Sequence, residues 1–302
     1  MSVTFSGGIT FTGGGFSFTA PPAGSKAIFG YGDTGSATAI TNLVSNTGVV
    51  ANDTSGVGTA RFALAATGYG GDKAIFGYGT TRVTNLVSNT GVVATDTAGV
   101  GTDRFALAAV GYGSSGQAMF GYGFDGNQLS MTNLVSNTGV VSTDTAGVGT
   151  GRHGLGAARY GSSGQAIFGY GTGAATYSLT NLVSNTGVVA SDTTGVGTAR
   201  AYVAAAGYGT DKAIFGYGDS TVGASSLTNL VSNTGVVATD TAGVGTARNR
   251  LAAAGYGTDK AIFGFGFYMY AMTNLVSNTG VVGNDVTGVG TARSYLAAAA
   301  YG

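Results

Sequence analysis

The sequence predicts an all-β fold, built as a six-bladed β-propeller of four-stranded antiparallel blades. Its 302 residues include 57 Gly and neither Cys nor Trp, and Gly, Thr, Val and aromatic residues outnumber the strong helix formers. That composition favours strands and tight turns. Internal periods of 40 to 50 residues, roughly, are typical of propellers, solenoids and repeat arrays. The phrase TNLVSNTGVV recurs with such a period, beginning at Thr41, Thr84, Thr132, Thr180, Thr228 and Thr273.

Each repeat contains four strand-like phrases in a fixed order. The first is rich in small residues, as in residues 251–257, and a short turn joins it to the second, KAIFGYG. A connector of variable sequence leads to the third, TNLVSN. An Asn-Thr-Gly corner, with Gly where a left-handed residue closes a short hairpin, opens the fourth, GVVATDTAGVGTAR. Short apolar runs bounded by Gly, Asn and Asp predict strands, and four of them predict one blade.

The two ends of the chain complement each other. Residues 26–56 supply only the second, third and fourth phrases, whereas residues 294–302 supply an isolated first phrase. The C-terminal strand is therefore predicted to join the first blade and close a ring over residues 26–302. A β-solenoid or fibre-like repeat is the alternative, but its end units should be atypical polar caps.

Residues 1–25 do not match the repeat. Apolar residues alternate there with Thr, Ser and Gly, which predicts short strands or an extended arm. Such an arm could pack on its own propeller or add strands to a neighbour. We expect the second arrangement, in which residues 1–25 attach the chain to other structural subunits.

The order of the phrases resembles the kelch repeat. Residues 245–248 (GTAR), 251–257 and 261–264 (AIFG) follow one another as the corresponding parts of that motif do, although FGYG replaces its paired glycines and its Trp is absent. Kelch propellers include copper radical oxidases, sugar isomerases and non-catalytic binding domains. The copper oxidases require a Cys cross-linked to a Tyr together with His ligands, whereas this chain has no Cys and one His. The sequences of the repeats also resemble those of repeat proteins from tailed bacteriophages.

An Asp, and an Arg eight residues after it, recur in every repeat. They could form a sixfold ring of ligand-binding charges, but a contact needed in every blade is expected to be structural, with Arg donating to backbone carbonyls and Asp closing a turn. One Asp per blade is too sparse for a calcium site, and we predict no metal and no cofactor. The predicted structural clamp comprises Asp53, Arg61, Asp96, Arg104, Asp144, Arg152, Asp192, Arg200, Asp240, Arg248, Asp285 and Arg293.

Sequence variation among the repeats is concentrated after the repeated Arg and in the connector after FGYG. In a four-stranded meander these two segments emerge at the same end, so they should surround one mouth of the propeller. Loops on a rigid scaffold commonly carry recognition, and aromatic residues and Arg are frequent anchors, although loops also vary where nothing packs on them. The predicted ligand-binding residues are Phe62, Phe105, His153, Tyr202, Asn249, Arg250, Tyr295, Phe124, Tyr177, Phe267, Tyr268 and Tyr270.

These features lead to a functional hypothesis. We expect a non-enzymatic structural or adhesion protein of a virus particle that binds host glycan or protein through the variable face. A cellular kelch-type protein-interaction module and a carbohydrate-active enzyme are the alternatives. His153 has no carboxylate beside it in the sequence, and no catalytic residue is predicted.

Composition also limits partners and location. The formal net charge is zero and 9% of residues are charged, which disfavours nucleic-acid binding. The N-terminal residues lack the features of a signal peptide, and no apolar stretch predicts membrane insertion. We expect synthesis in the cytoplasm, followed by a location on the virion surface or outside the cell after lysis.

Overall fold

The computed structural model describes residues 9–12, 15–18 and 26–302, and only the backbone of the first two segments. This part of the chain contains 22 strands and no helix, which confirms the all-β class. A helix long and apolar enough to cross a membrane is accordingly absent from it. The predicted attachment role of residues 1–25 falls mostly outside the described residues.

The strands follow the repeats in regular order. β1 (Ile9–Thr12) and β2 (Gly15–Phe18) form an antiparallel hairpin. The repeat strands are β3 (Lys26–Asp33), β4 (Ala37–Val44), β5 (Ala65–Tyr69), β6 (Lys73–Gly77), β7 (Thr84–Val87), β8 (Ala108–Tyr112), β9 (Gln117–Phe124), β10 (Gln128–Val135), β11 (Gly156–Tyr160), β12 (Gln165–Gly169), β13 (Thr180–Val183), β14 (Ala204–Tyr208), β15 (Lys212–Gly216), β16 (Asp219–Ser220), β17 (Gly223–Ala224), β18 (Thr228–Val231), β19 (Ala252–Tyr256), β20 (Lys260–Gly266), β21 (Tyr270–Val276) and β22 (Ala297–Tyr301).

All of the repeat strands except β16 and β17, which pair with each other, form six three-stranded antiparallel sheets. We number them sheet 1 (β22-β3-β4), sheet 2 (β5-β6-β7), sheet 3 (β8-β9-β10), sheet 4 (β11-β12-β13), sheet 5 (β14-β15-β18) and sheet 6 (β19-β20-β21). In sheet 1 the C-terminal strand pairs with the first repeat strand, Tyr301 opposite Lys26 and Ala297 opposite Gly30. The complementary chain ends predict this pairing.

The first strand of each sheet lies innermost. These strands contact one another in the cyclic order β22, β5, β8, β11, β14, β19 and back to β22. Their residues alternate between buried and partly exposed, so that Ala65, Thr67 and Tyr69 of β5 pack between sheets. The residues between them, Ala66 and Gly68, face the axis.

Apolar packing between neighbouring sheets forms the core. Phe76 of sheet 2 is fully buried and lies over Gly30 of sheet 1, where an added Cβ would stand 2.6 Å from its ring. The same contact joins Phe29 of sheet 1 to Gly264 of sheet 6 at 2.7 Å. A glycine at this position of each middle strand therefore lets the sheets approach closely.

The predicted fourth strand of each unit is wrong for the described residues. In sheet 1 the fourth phrase makes only two isolated bridges to β4, Thr41 with Thr54 and Val44 with Val50. Between those bridges the side chain of Asn42 donates through Nδ2 to the carbonyl of Ala51 at 3.0 Å. Because this side chain takes a carbonyl that a strand partner would use, the phrase follows the sheet edge without forming a continuous ladder.

A closed ring of backbone hydrogen bonds surrounds the axis at the end where the inner strands begin. It uses the second residue after each repeated Arg, and all six have positive φ between 51° and 62°. Each N–H donates to the carbonyl of the equivalent residue in the preceding sheet. The bonds are Ala63 to Tyr295 (2.8 Å), Ala106 to Ala63 (2.7 Å), Gly154 to Ala106 (2.7 Å), Tyr202 to Gly154 (2.5 Å), Arg250 to Tyr202 (3.3 Å) and Tyr295 to Arg250 (2.9 Å).

Candidate functional site

The repeated Arg side chains are completely enclosed by protein. Arg152 is 0% exposed and donates from Nε to Tyr170 O at 2.8 Å, from Nη1 to Thr150 O at 3.0 Å and from Nη2 to Asn181 Oδ1 at 2.6 Å. Its guanidinium also lies 4.6 Å from the ring centroid of Tyr122, which belongs to the preceding sheet. A desolvated cation over an aromatic ring stabilises such a contact by about 2 kcal/mol. The Arg therefore joins two sheets.

Equivalent contacts occur in all six sheets. Arg200 donates to the carbonyl of Tyr217 through Nη1, where the other five use Nε, and binds Asn229 through Nη2 as the others bind their Asn. The six buried guanidinium groups are those of Arg61, Arg104, Arg152, Arg200, Arg248 and Arg293.

The repeated Asp belongs to the same network. Asp192 accepts hydrogen bonds from the backbone and hydroxyl of Thr150 and from Asn181 Nδ2, and lies 3.7 Å from Arg152 Nη1. Partial burial raises the pKa of Asp192, but the hydrogen bonds from Thr150 and Asn181 outweigh it and hold the pKa below its usual value. The carboxylate oxygens are thus bound by the protein itself and are not directed at a ligand.

The Asp that lies beside each Arg in the structure is not the Asp that precedes it by eight residues in the sequence. The Asp eight residues before Arg152 is Asp144, which instead binds Thr102 and Asn133 of sheet 3. Sequence reasoning missed the Arg–Asn contact as well. The repeated Asn in TNLVSN was the available signal, because a polar residue kept in every copy of a buried strand needs a partner.

Aromatic rings from several sheets form a continuous group at the end of the axis marked by the backbone ring. We call this group the aromatic mouth. Phe105 contacts Phe124 at 5.5 Å between ring centroids, Phe124 contacts His153 at 5.3 Å, and His153 contacts Tyr202 at 5.9 Å. Its other ring contacts join Tyr202 to Tyr295 (5.7 Å), Phe62 to Tyr295 (6.0 Å), Phe267 to Tyr268 (4.7 Å) and Tyr268 to Tyr270 (6.4 Å).

His153 occupies a defined position within the aromatic mouth. Its Nδ1 lies 2.8 Å from Gln128 Oε1, and its Nε2 lies 3.2 Å from the hydroxyl of Tyr202. Because the Gln oxygen only accepts, Nδ1 carries the proton and Nε2 accepts from Tyr202. Burial lowers the pKa of His153, so the imidazole is neutral near pH 7.

Arg250 lies between the two halves of the aromatic mouth. Its guanidinium carbon is 4.3 Å from the ring centroid of Phe267, 4.6 Å from that of Tyr295 and 5.3 Å from that of Tyr202. Burial, followed by the effect of neighbouring Tyr202, raises the pKa of Tyr295 to about 12, although Arg250 acts in the opposite direction. Arg250 Nε is buried and has no hydrogen-bond partner among the described residues.

A small cavity of about 100 Å³ lies on the axis below these side chains. Tyr202, Arg250 and Tyr295 line it on the side of the mouth. Below them it is lined by the apolar residue that immediately precedes each inner strand, namely Leu64, Leu107, Leu155, Val203, Leu251 and Leu296. The aromatic mouth is therefore a shallow surface with a short pocket at its centre.

The structure brings ten of the predicted ligand-binding residues into the aromatic mouth. Two lie apart from it. Asn249 is 6% exposed, with Oδ1 unpaired among the described residues, and Tyr177 makes no ring contact with the described aromatic residues. Gln128 was missed, since nothing in a variable connector distinguishes a residue that orients a distant His. The ten are Phe62, Phe105, Phe124, His153, Tyr202, Arg250, Phe267, Tyr268, Tyr270 and Tyr295.

Comparison with known proteins gives a likeness of fold. No family model matches the chain, and no curated protein matches its sequence. The solved structures that match include a fungal alcohol oxidase, described as having catalytic diversity among the AA5 family and in complex with copper. The TM-score is 0.52 at 13% sequence identity, and the match covers 80% of this chain and 68% of the oxidase.

This comparison corrects the function expected from the sequence. The chain was expected to be a non-enzymatic structural or adhesion protein of a virus particle, but the fold that it matches is that of an alcohol-oxidising enzyme. The virion prediction is therefore wrong. It rested on the sequences of the repeats. These sequences specify the strands and turns that every sheet needs, and they do not specify the chemistry of a site.

The residues of the chain do not fit the copper of that oxidase. No group of three or more His, Cys, Asp or Glu side chains that could hold a metal occurs in residues 26–302. His153 is the sole histidine of the sequence, and both of its ring nitrogens face protein partners. The absence of enzymatic activity stays a prediction.

Proposed function

We propose that the six sheets are the blades of a kelch-like β-propeller. The number of sheets equals the number of repeats, and the innermost strands contact one another in a closed cycle. The C-terminal strand in sheet 1 and the ring of six backbone hydrogen bonds support the same arrangement. Full closure removes the exposed edges that an open stack of sheets would retain.

We propose that the aromatic mouth binds a carbohydrate. The observation that carries this proposal is the extended aromatic surface, which surrounds a central cation with an unpaired N–H. The faces of sugar rings present C–H groups that pack on aromatic rings, while their edges present hydroxyls that need polar partners. A mouth that combines exposed rings with Arg250 provides both kinds of contact.

Individual residues have distinct roles in this proposal. Tyr268 is 68% exposed and Phe105 37% exposed, so their rings are available for stacking. The guanidinium of Arg250 would donate to a sugar hydroxyl, since it has five N–H donors and accepts nothing.

The test is binding of a panel of neutral oligosaccharides, measured by isothermal titration calorimetry. We expect Phe105→Ala combined with Tyr268→Ala to weaken binding by at least about tenfold, since aromatic anchors contribute about 1–2 kcal/mol each. Val49→Ala is the matched control, because Val49 is 65% exposed and its neighbour Gly48 lies against Tyr256, at the far end of the inner strand β19 from the mouth. The proposal fails if no oligosaccharide binds at millimolar concentration, or if the double variant binds as the wild type does.

A further inference from the structure

A second, larger cavity lies on the axis at the end opposite the aromatic mouth. Its volume is about 470 Å³, and it is bounded by the inner strands and by the turns that join them to the second strands. We call it the axial channel. Cavities of about 300–1,000 Å³ are typical of sites for small molecules. The row of Leu and Val side chains beneath the mouth separates the two spaces.

The walls of the axial channel are nearly uniform. Each inner strand turns two residues toward the axis, the second and the fourth, which gives twelve positions in six strands. Eleven of these positions hold Ala or Gly. The twelfth is Arg159, which replaces the Gly found at the equivalent positions 68, 111, 207 and 255 and the Ala at 300.

Arg159 therefore introduces one long cationic side chain into an otherwise smooth wall. Its Nη2 donates to the carbonyl of Gly113 at 2.8 Å, which holds the guanidinium against the turn of the adjacent sheet. Arg159 forms no ion pair with an Asp side chain in residues 26–302. Partial burial lowers its pKa, because the surrounding protein replaces water without supplying an opposite charge.

The other cations around the axial channel are compensated. Lys73, Lys212 and Lys260 line its rim, and each pairs with the Asp that precedes it, at 2.9, 3.0 and 2.8 Å. Gln117 occupies the same position in sheet 3 and carries no charge. The net positive charge of the channel lining therefore resides on Arg159.

We propose that the axial channel binds a small molecule that carries an oxyanion, a carboxylate or a phosphate, with the anionic group on Arg159. A guanidinium held by one N–H retains a planar pair of donors for a bidentate contact with such a group. The Ala and Gly walls leave room for the remainder of the ligand. The site is separate from the aromatic mouth and does not depend on carbohydrate recognition there.

The experiment is calorimetric titration of the full chain at low ionic strength with D-glucuronate, inorganic phosphate and D-glucose. We expect at least one of the two anions to bind and D-glucose, the neutral counterpart of glucuronate, not to bind in the channel. Glucuronate binding without phosphate binding identifies a carboxylate site, and the reverse result a phosphate site. Failure of both anions to bind at millimolar concentration overturns the proposal.

Variants assign the binding to the channel. Arg159→Gly installs the residue that four other sheets already use, so it should fold normally and weaken anion binding at least tenfold. Arg82→Gln is the control for loss of a cation, because Arg82 is 53% exposed and does not line the channel, and it should bind within about twofold of the wild type. Equal affinity of Arg159→Gly and the wild type overturns the proposal. Phe105→Ala with Tyr268→Ala should leave anion binding unchanged, which separates the outcome here from that at the aromatic mouth.

Discussion

At the scale of single residues, the backbone ring places ordinary amino acids in a conformation that favours glycine. Ala106 has a φ of 51°, and its counterpart Gly154 has a φ of 62°. A left-handed non-glycine residue costs about 1–2 kcal/mol, and glycine avoids that cost but loses more chain entropy on folding. The ring therefore contains one relaxed position and five strained ones.

Because one position of the ring is Gly and the others are not, two opposite substitutions should change the free energy of unfolding in opposite directions. Gly154→Ala should destabilise the protein by about 1–2 kcal/mol, because an added Cβ would also stand 3.1 Å from Tyr202. Ala106→Gly should leave stability unchanged or raise it by up to about 1 kcal/mol. Urea denaturation measures both. Ala109→Gly in β8, where φ is not positive, is the control and should cost about 0.5–1 kcal/mol.

The buried Arg side chains should contribute far more to stability than exposed ones. Arg248→Met leaves Asn274 and the carbonyl of Phe265 without their donor, so we expect a loss of about 3–5 kcal/mol in the free energy of unfolding. Arg82, 53% exposed in its pair with Asp103, is the control. Arg82→Met should change stability by less than about 0.5 kcal/mol. Similar losses in the two variants would contradict the proposed role of the buried Arg.

The six repeated Asp residues predict acid sensitivity. Burial raises the pKa of Asp96, but hydrogen bonds from Thr59 and Asn85 outweigh it and hold the pKa below the ordinary value of 3.8. A carboxylate with a depressed folded-state pKa contributes stability that is complete above the unfolded-state value and is lost as pH falls through the folded-state value. The free energy of unfolding should therefore fall steeply below about pH 4.

Asp96→Asn tests this dependence. The variant should be less stable than the wild type at pH 7 but should approach it in urea denaturation near pH 3, because the stability that the wild-type carboxylate contributes is being lost once the pH is below the unfolded-state value. A stability difference that stays constant between pH 3 and pH 7 would show that the charge of Asp96 is not responsible.

At the scale of elements, sequence patterns predicted three of the four phrases correctly and failed on the last. The first three are short, apolar and bounded by turn residues, and each forms a strand in the sheets. The fourth phrase is similar in composition, but side chains such as that of Asn42 donate hydrogen bonds to its backbone carbonyls. Side-chain competition of this kind depends on three-dimensional placement and cannot be read from the pattern.

The inner strand of sheet 1 is supplied from the far end of the chain, so its removal should be severe. Replacing residues 294–302 with a Gly/Ser segment of equal length removes β22 and exposes β3, whose residues 27–32 are buried. We expect the thermal midpoint to fall by more than about 10 °C, or the cooperative transition to disappear. Differential scanning calorimetry measures the change. An unchanged midpoint would mean that sheet 1 is stable without its inner strand.

At the scale of the whole molecule, the sequence predicted the pairing of the chain ends but not the arrangement of the mouth. Complementary ends are visible as missing and surplus phrases, whereas the contact of His153 with Gln128 joins two variable segments 25 residues apart. Residues that recur in all six repeats can be compared with one another within the chain, and they specify the strands and turns. The variable residues differ in each repeat, so the sequence offers no such comparison for them. The virion hypothesis failed for the same reason, since it relied on residues that recur in every repeat.

The pairing of the chain ends in sheet 1 predicts a viable circular permutant. Tyr301 lies opposite Lys26, as Tyr69 lies opposite Lys73, so a turn copied from residues 70–72 can join them. We expect a chain that begins at Gly223, passes through this turn and ends at Val222, without residues 1–25, to unfold cooperatively with a midpoint within about 5 °C of the wild type. Circular dichroism measures the transition. A permutant without a cooperative transition would show that the natural break at sheet 1 is required.

The ring of six backbone hydrogen bonds has an electrostatic consequence. Every N–H in it points the same way around the axis, so the peptide dipoles follow a circle and their vectors cancel. A helix end concentrates partial charge because its last groups have no partners, whereas a closed circle has no last group. This part of the backbone therefore adds no net dipole at the entrance to the aromatic mouth, and the charge at the centre of the mouth is that of Arg250.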